Sequence, residues 1–207
     1  MKKMNFIYMW IASWFTAGML SLYQPFMKIW VGEDLMYSMW FVVLICLYFY
    51  ELKLSDVRYA YEQTLGLWWD LRYRYIAEVI ANLILNYVMG KYFGVYVILS
   101  ATMISIFFII FLYGTQFIFQ IYYKETSVNE YFLSHLKYAI VASIACGITY
   151  GLCYYLPDGV IGLFLRGGIC LFIPNAVLWI IYRKTKIYGE AMPWFIGKIK
   201  RKRVQQN

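Results

Sequence analysis

Long apolar stretches, interrupted by short clusters of charge, Gly or Pro, set the rhythm of this chain. Six stand out: Phe6–Trp30, Met36–Trp68, Tyr75–Met89, Val95–Ile121, Tyr138–Leu156 and Val160–Tyr182. Most approach or exceed the length of about 20 residues that a helix needs to cross hydrocarbon roughly 30 Å thick. Tyr75–Met89 is shorter and more polar. Aromatic residues crowd the ends of the stretches (Trp30, Trp40, Trp68, Trp69, Tyr122, Tyr123, Tyr182), as interfacial belts require. The connections Val31–Leu35, Trp69–Arg74, Gly90–Gly94 and Pro157–Gly159 are short and leave no room for a soluble domain. The pattern predicts an all-α integral membrane protein, a six-helix bundle over residues 1–187 followed by a basic cytoplasmic tail, 188–207.

Composition narrows the picture. Of 207 residues 63% are hydrophobic and 14% charged, against about a quarter charged in soluble domains. A water-soluble enzyme of this size cannot hide so much apolar surface, and 22% aromatic content excludes disorder. The opening Met1-Lys2-Lys3 imitates a signal peptide. The apolar run nevertheless continues through Trp10, Trp14 and Phe15 to Trp30 without a small-x-small cleavage site, which reads as a retained membrane helix. The four cysteines (Cys46, Cys146, Cys153, Cys170) lie inside apolar stretches with no CxxC pair or Cys/His cluster. They read as small buried hydrophobes, so no disulfide framework, metal site or cofactor is expected.

The net charge of +8 is informative through its placement. Arg183, Lys184, Lys186, Lys198, Lys200, Arg201, Lys202 and Arg203 directly follow the last apolar stretch, where basic clusters meet anionic lipid. No basic recognition motif occurs elsewhere, so nucleic acid is not an expected partner. With a cytoplasmic N-terminus, Lys2, Lys3, Arg72, Arg74, Lys124, Lys137 and the tail lie inside, and only Lys28 and Lys91 lie outside. The positive-inside bias and an even number of spans then put both termini in the cytoplasm.

The second stretch is unusual. As one helix it would run about 50 Å, longer than the hydrocarbon core, and its second half carries Glu51, Lys53, Asp56, Arg58 and Glu62. At helical spacing Glu51, Ser55, Arg58 and Glu62 fall within a sector of about 60°. The third stretch offers Glu78, Asn82 and Asn86 at intervals of four. Two readings stand. The polar faces line a hydrated cavity, as membrane-embedded charge usually does, or Arg58 pairs with Glu51 or Glu62 to hold helices together while Lys53 snorkels. Arg166, near the outer end of the last span, is open between snorkelling and substrate contact. The lone histidine, His135, reads as an interfacial residue in preference to a proton relay. Gly167-Gly168 with Pro174 predict a bend in the sixth span. No Ser/His/Asp set, HExxH, P-loop or dinucleotide fingerprint is present, so no catalytic residue can be named and catalysis is not expected.

The order Pro25-Phe26, Trp30-Val31-Gly32, Ala60, Gly66-Leu67-Trp68-Trp69, Arg72-Tyr73-Arg74, Glu78, Asn82-Leu83, Lys91-Tyr92-Phe93-Gly94 and Thr102 to Ser105 resembles a known family. It is similar to the C-terminal half of the Wzx-type oligosaccharide flippases of the multidrug/oligosaccharidyl-lipid/polysaccharide exporter superfamily. Tyr75 stands where that family often has Pro, Val79 where it has Ala, and Ala101 where it has Gly. The last two spans match by hydropathy and charge alone. The resemblance implies one half of a two-bundle, MATE-like transporter, with an N-terminal half missing or separately encoded. It further implies an undecaprenyl-pyrophosphate-linked oligosaccharide repeat unit as substrate, flipped across the bacterial cytoplasmic membrane for surface polysaccharide such as O-antigen, with membrane lipid as surroundings. By polarity and helical face, Arg58, Arg72 and Arg74 are the phosphate-facing candidates, and Glu51, Glu62, Glu78, Asn82 and Asn86 the cavity-lining ones. The alternative is a non-transporting membrane subunit, or a small membrane enzyme, of the same pathway.

Overall fold

The computed structural model describes residues 1–121 and 127–204. Every long element is a helix, and no strand occurs among the described residues. In order these are α1 (Lys2–Trp30), α2 (Met39–Thr64), α3 (Arg72–Phe93), α4 (Val95–Ser105), α5 (Gly114–Ile121), α6 (Val128–Tyr154), α7 (Val160–Tyr182) and α8 (Lys186–Val204). Between α4 and α5 the chain does not leave the helix. Ile106–Tyr113 is wound as a π-helix, in which hydrogen bonds reach back five residues. Tyr122, Tyr123, Lys124 and residues 205–207 lie outside the described residues.

Four helical stretches among the described residues are long and apolar enough to cross a membrane: Lys2–Trp30, Val97–Ile121, Val128–Tyr154 and Val160–Tyr182. A hydrocarbon setting explains why they are helices despite interior Gly and Pro. Only a helix or a closed barrel satisfies all backbone polar groups from within. It also explains the exposed Ile140, Ile144 and Ile148 on α6 and Phe164 and Phe172 on α7, which would be costly in water. The remaining two expected spans, α2 and α3, form helices but do not meet that standard of apolar length. Glu51, Lys53, Asp56, Arg58 and Glu62 charge the second half of α2, and α3 carries Arg72, Arg74, Glu78 and Lys91. The expected loop Gly90–Gly94 shrinks to Gly94, whose φ of 76° suits a residue without Cβ. The basic end of the chain is itself helical, as α8.

The chain divides into two compact units, Met1–Met36 with Ala139–Asn207, and Tyr37–Tyr138. In the first, α1 packs on α7 and α8. The face of α1 that is buried carries Ala12, Ser13, Thr16, Ala17 and Ser21, small residues that let helices approach closely where no hydrophobic driving force separates protein from lipid. Pro174 does not interrupt α7. It has no N–H for the carbonyl of Cys170, four residues back, and the Trp14 indole N–H of α1 donates to that carbonyl instead, at 2.9 Å. One turn along, Trp10 Nε1 donates to Asn175 Oδ1 at 2.7 Å. Trp14 thus mends the ladder that Pro174 opens, and Trp10 ties the next residue's side chain to α1. At the other end, Phe6 and Trp10 pack on Tyr188 of α8, and Lys3 pairs with Glu190 at 3.4 Å.

In the second unit, α4 packs against α2 and α3. The reversal between α2 and α3 is fixed by a Schellman closure. Leu67 N donates to Glu62 O at 3.1 Å and Gly66 N to Gln63 O at 3.2 Å, with Gly66 at φ 69°, the left-handed position that glycine tolerates. The closure delivers Leu67 into a buried cluster with Leu71 and Ile118. Trp68 stacks on Tyr75 with ring centroids 5.3 Å apart. The start of α3 is thereby held against the end of α2.

A buried two-arginine, one-carboxylate cluster as the candidate functional site

That reversal brings ionic groups together where both helices meet. Arg58 and Glu62 are one turn apart on α2, and Arg58 Nη1 donates to Glu62 Oε1 at 2.8 Å. From the first turn of α3, Arg74 grips the same carboxylate with two donors. Its Nη1 reaches Oε1 at 3.1 Å and its Nη2 reaches Oε2 at 2.8 Å. Tyr75 adds its hydroxyl to Oε2 at 2.8 Å. Glu62 therefore accepts four hydrogen bonds. Relative exposures of 1% for Arg58, 2% for Glu62 and 4% for Arg74 show that the cluster is enclosed by protein.

Cations outnumber the anion within the hydrogen-bonded trio, where two guanidinium groups, always protonated, share one carboxylate. Glu78, one turn beyond Arg74, lies within electrostatic reach of both arginines. Donors are also in excess: Arg58 Nε and Nη2 and Arg74 Nε are buried without a hydrogen-bond partner among the described residues. A buried ion pair is tolerable when geometry and hydrogen bonds are complete, and here they are complete only for the anion.

The third wall is backbone. A Cβ placed on Gly114, the first residue of α5, would run into Arg58 Nη1 and Arg74 Nη1. A side chain at this point would require the two guanidinium groups to shift. The π-helical Ile106–Tyr113 ends at this glycine, and such windings displace a helix face relative to a regular one.

The other candidates are distributed around this centre. Arg72 is separate. Its Nη1 donates to Trp69 O at 2.6 Å, and its guanidinium lies over the Trp69 and Tyr73 rings. That is the arrangement of an interfacial anchor. Glu78 is half-buried, one turn beyond Arg74 on α3. Asn82 and Asn86 bond each other, Asn86 Nδ2 donating to Asn82 Oδ1 at 2.7 Å, while Thr102 of α4 reaches Asn86 Oδ1 at 3.5 Å. Glu51 is half-buried, and no hydrogen bond or ion pair joins it to Arg58 among the described residues. Lys53 pairs with Asp56 at 2.7 Å. His135 is buried with Nδ1 at 3.0 Å from Tyr131 O, packed among the Phe111, Tyr131 and Tyr138 rings. No group of His, Cys, Asp and Glu able to hold a metal ion occurs among the described residues.

Two members of the site were not among the sequence candidates. Tyr75 was noted only as a departure from a family pattern, although it directly follows Arg74. Gly114 stood as a lone glycine in an otherwise bulky run, Phe111-Leu112-Tyr113-Gly114-Thr115, a signal for close approach of something to the backbone.

Arg166, in the first unit, has a different environment. Its Nε donates to Cys153 O at 3.1 Å and its Nη2 to Leu156 O at 2.7 Å, at the C-terminal end of α6. Nη2 also lies 3.3 Å from Asp158 Oδ1. It caps a helix end, where carbonyls lack intrahelical partners and the dipole favours a cation. Asp158 is exposed and bridges to Lys28 at 3.2 Å, which in turn pairs with Glu33 at 2.8 Å. Hydrogen bonds from Lys28 and then from Arg166 hold the Asp158 carboxyl below its ordinary value of 3.8.

With this geometry as the only guide to function, comparison adds no relative. No family model, curated protein or solved structure matches the chain.

Proposed function

We propose that this protein is a six-span half of a MATE-like transporter that flips undecaprenyl-pyrophosphate-linked oligosaccharide repeat units across the bacterial cytoplasmic membrane, for surface polysaccharide. It works with a second bundle, and both its termini are cytoplasmic. The observation that carries the reading is the pairing of two guanidinium groups on one carboxylate, with N–H donors left over, in the cluster of Arg58, Arg74 and Glu62. Ionisable groups held inside a membrane protein are costly and mark function by default. Guanidinium groups are also the side chains best matched to phosphate oxygens. Asn82, Asn86 and Glu78 supply sugar-bonding groups on the same helix as Arg74, while Arg72 anchors α3 at the interface. The resemblance to the flippases over Pro25–Ser105 names the substrate.

A second reading, a non-transporting membrane subunit or small membrane enzyme of the pathway, is favoured by one fact: the cluster is almost wholly enclosed. Arg58→Met separates the two. The transport reading expects lost surface polysaccharide with unchanged abundance of the protein in the membrane. Normal polysaccharide in that variant would reject the substrate role of Arg58, and joint loss of polysaccharide and protein would favour the structural one.

A further inference from the structure

We infer that Glu62 is an exchangeable occupant of an oxyanion site, a built-in stand-in for the phosphate ester that Arg58 and Arg74 are arranged to bind. The inference rests on the proposed function for the identity of the anion, and goes beyond it in assigning Glu62 an opposing role. A carboxylate lining a sugar cavity would present at least one oxygen to that cavity. Glu62 presents none. Both its oxygens are consumed by Arg58, Arg74 and Tyr75, in the fork geometry that guanidinium offers equally to carboxylate and phosphate. The donors left over, Arg58 Nε and Nη2 and Arg74 Nε, are more than a carboxylate with two oxygens can take. A phosphate group, with three or more oxygens and a larger charge, answers that surplus.

The position of Glu62 makes exchange mechanically simple. It sits in the last turn of α2, directly before the Gly66 reversal, while Arg74 and Tyr75 sit in the first turn of α3. Separating these two helix ends frees Arg74 and Tyr75 from the carboxylate, while Arg58, one turn before Glu62 on α2, keeps its bond to it. An incoming phosphate ester competes with Glu62 for the same donors. Binding is thereby coupled to movement of one helix end against the next, which suits a site that must release its ligand.

The formal charge of the cluster orders the variants. Glu62→Gln raises it from +1 to +2, and Arg58→Met lowers it to zero. Tyr75→Phe keeps the charge and removes one hydrogen bond that holds Glu62 in place. Affinity of the purified full-length chain in detergent is measured for inorganic pyrophosphate, and in parallel for undecaprenyl pyrophosphate in lipid nanodiscs. Glu62→Gln should bind both at least about tenfold more tightly than the wild type, Tyr75→Phe more tightly by a smaller factor, and Arg58→Met at least about tenfold more weakly. A gain confined to the nanodisc arm assigns the site to a lipid headgroup; a gain in both assigns it to phosphate irrespective of the tail.

Unchanged affinity in both Glu62→Gln and Tyr75→Phe overturns the inference. Should Glu62→Gln fail to fold, Tyr75→Phe decides alone. If the wild type binds the lipid probe, Arg58→Met loses it and neither Glu62 nor Tyr75 variant gains, Glu62 is no stand-in while the transport reading survives. If no protein binds either probe, both fall.

Discussion

Each unit of this protein buries arginine, and the two units do it differently. In the first, Arg166 spends Nε and Nη2 on the carbonyls of Cys153 and Leu156 and on the exposed Asp158, and its Nη1 is buried without a hydrogen-bond partner among the described residues. Its charge sits where the end of a helix calls for one, and the local need of the backbone accounts for it. In the second, Arg58 and Arg74 donate to a side-chain carboxylate. They converge on one carboxylate, crowd a glycine and keep three N–H donors unused. Burial alone therefore says little about function. What separates the two arginine sites is the partner: helix-end carbonyls and an exposed carboxylate for Arg166, and one buried carboxylate shared by two guanidinium groups for Arg58 and Arg74.

Substitutions that break or sharpen this contrast can be ranked by expected effect on stability. Arg166→Met should be the most damaging, by about 3 kcal/mol, because it strips the cap from α6 and orphans buried carbonyls. Thermal unfolding of the purified protein in detergent measures it, and an unchanged midpoint would remove the structural role assigned to Arg166. Gly114→Ala should cost about 2 kcal/mol by driving a methyl into both guanidinium groups. Gly147, on α6, has nothing within 4 Å of an added Cβ, so Gly147→Ala serves as the control and should be neutral or slightly stabilising. Equal effects at the two glycines would mean that the arginines do not press on Gly114. Arg58→Met should change stability less than either. Arg74 and Tyr75 still satisfy Glu62, and the remaining Arg74–Glu62 pair is neutral.

The Asp158 bridge gives a smaller, pH-dependent effect. Its carboxyl lies below 3.8 in the folded protein, held there by Lys28 and Arg166. Above that value the aspartate is charged in folded and unfolded states alike, and the bridge contributes fully. As pH falls through the depressed folded value, the bridge is protonated and the contribution disappears. Asp158→Asn should therefore lower the unfolding midpoint slightly at neutral pH and converge on the wild type as pH falls through the depressed folded value. A deficit that stays constant as pH falls would assign the effect to packing rather than charge.

Much of the fold was legible because hydrophobic runs of membrane length have few alternatives to the helix. Phe6–Trp30, Val95–Ile121 and Val160–Tyr182 were placed within a few residues by apolarity and punctuation alone. Where charge entered, hydropathy lost its grip. Helix α3 begins at Arg72 and ends at Phe93, both outside the apolar core of Tyr75–Met89, because backbone bonding does not stop where apolar side chains do. Helix α7 runs unbroken through Pro174. Trp14 satisfies the freed carbonyl, a partner far away in sequence that no local pattern announces. The candidate site was legible in part. The helical spacing of Arg58 with Glu51 and Glu62 allowed a pairing as one of two readings, and Arg74 was named for its charge. That Arg74 and Tyr75 fold back onto the same carboxylate depends on the Gly66 reversal. The exclusion of a Cβ at Gly114 depends on the close approach of α5. Neither follows from periodicity.

The central claim is that the charge at Arg58 serves an anion whereas the charge at Arg166 serves the fold. The most direct measurement is equilibrium binding of undecaprenyl pyrophosphate in lipid nanodiscs to Arg58→Met and Arg166→Met side by side, with folded protein in each sample quantified by size-exclusion chromatography. The account predicts that Arg58→Met loses affinity at least about tenfold at wild-type stability, while the folded fraction of Arg166→Met binds as the wild type does. Undiminished binding by Arg58→Met, or an equal loss in both variants, would contradict it.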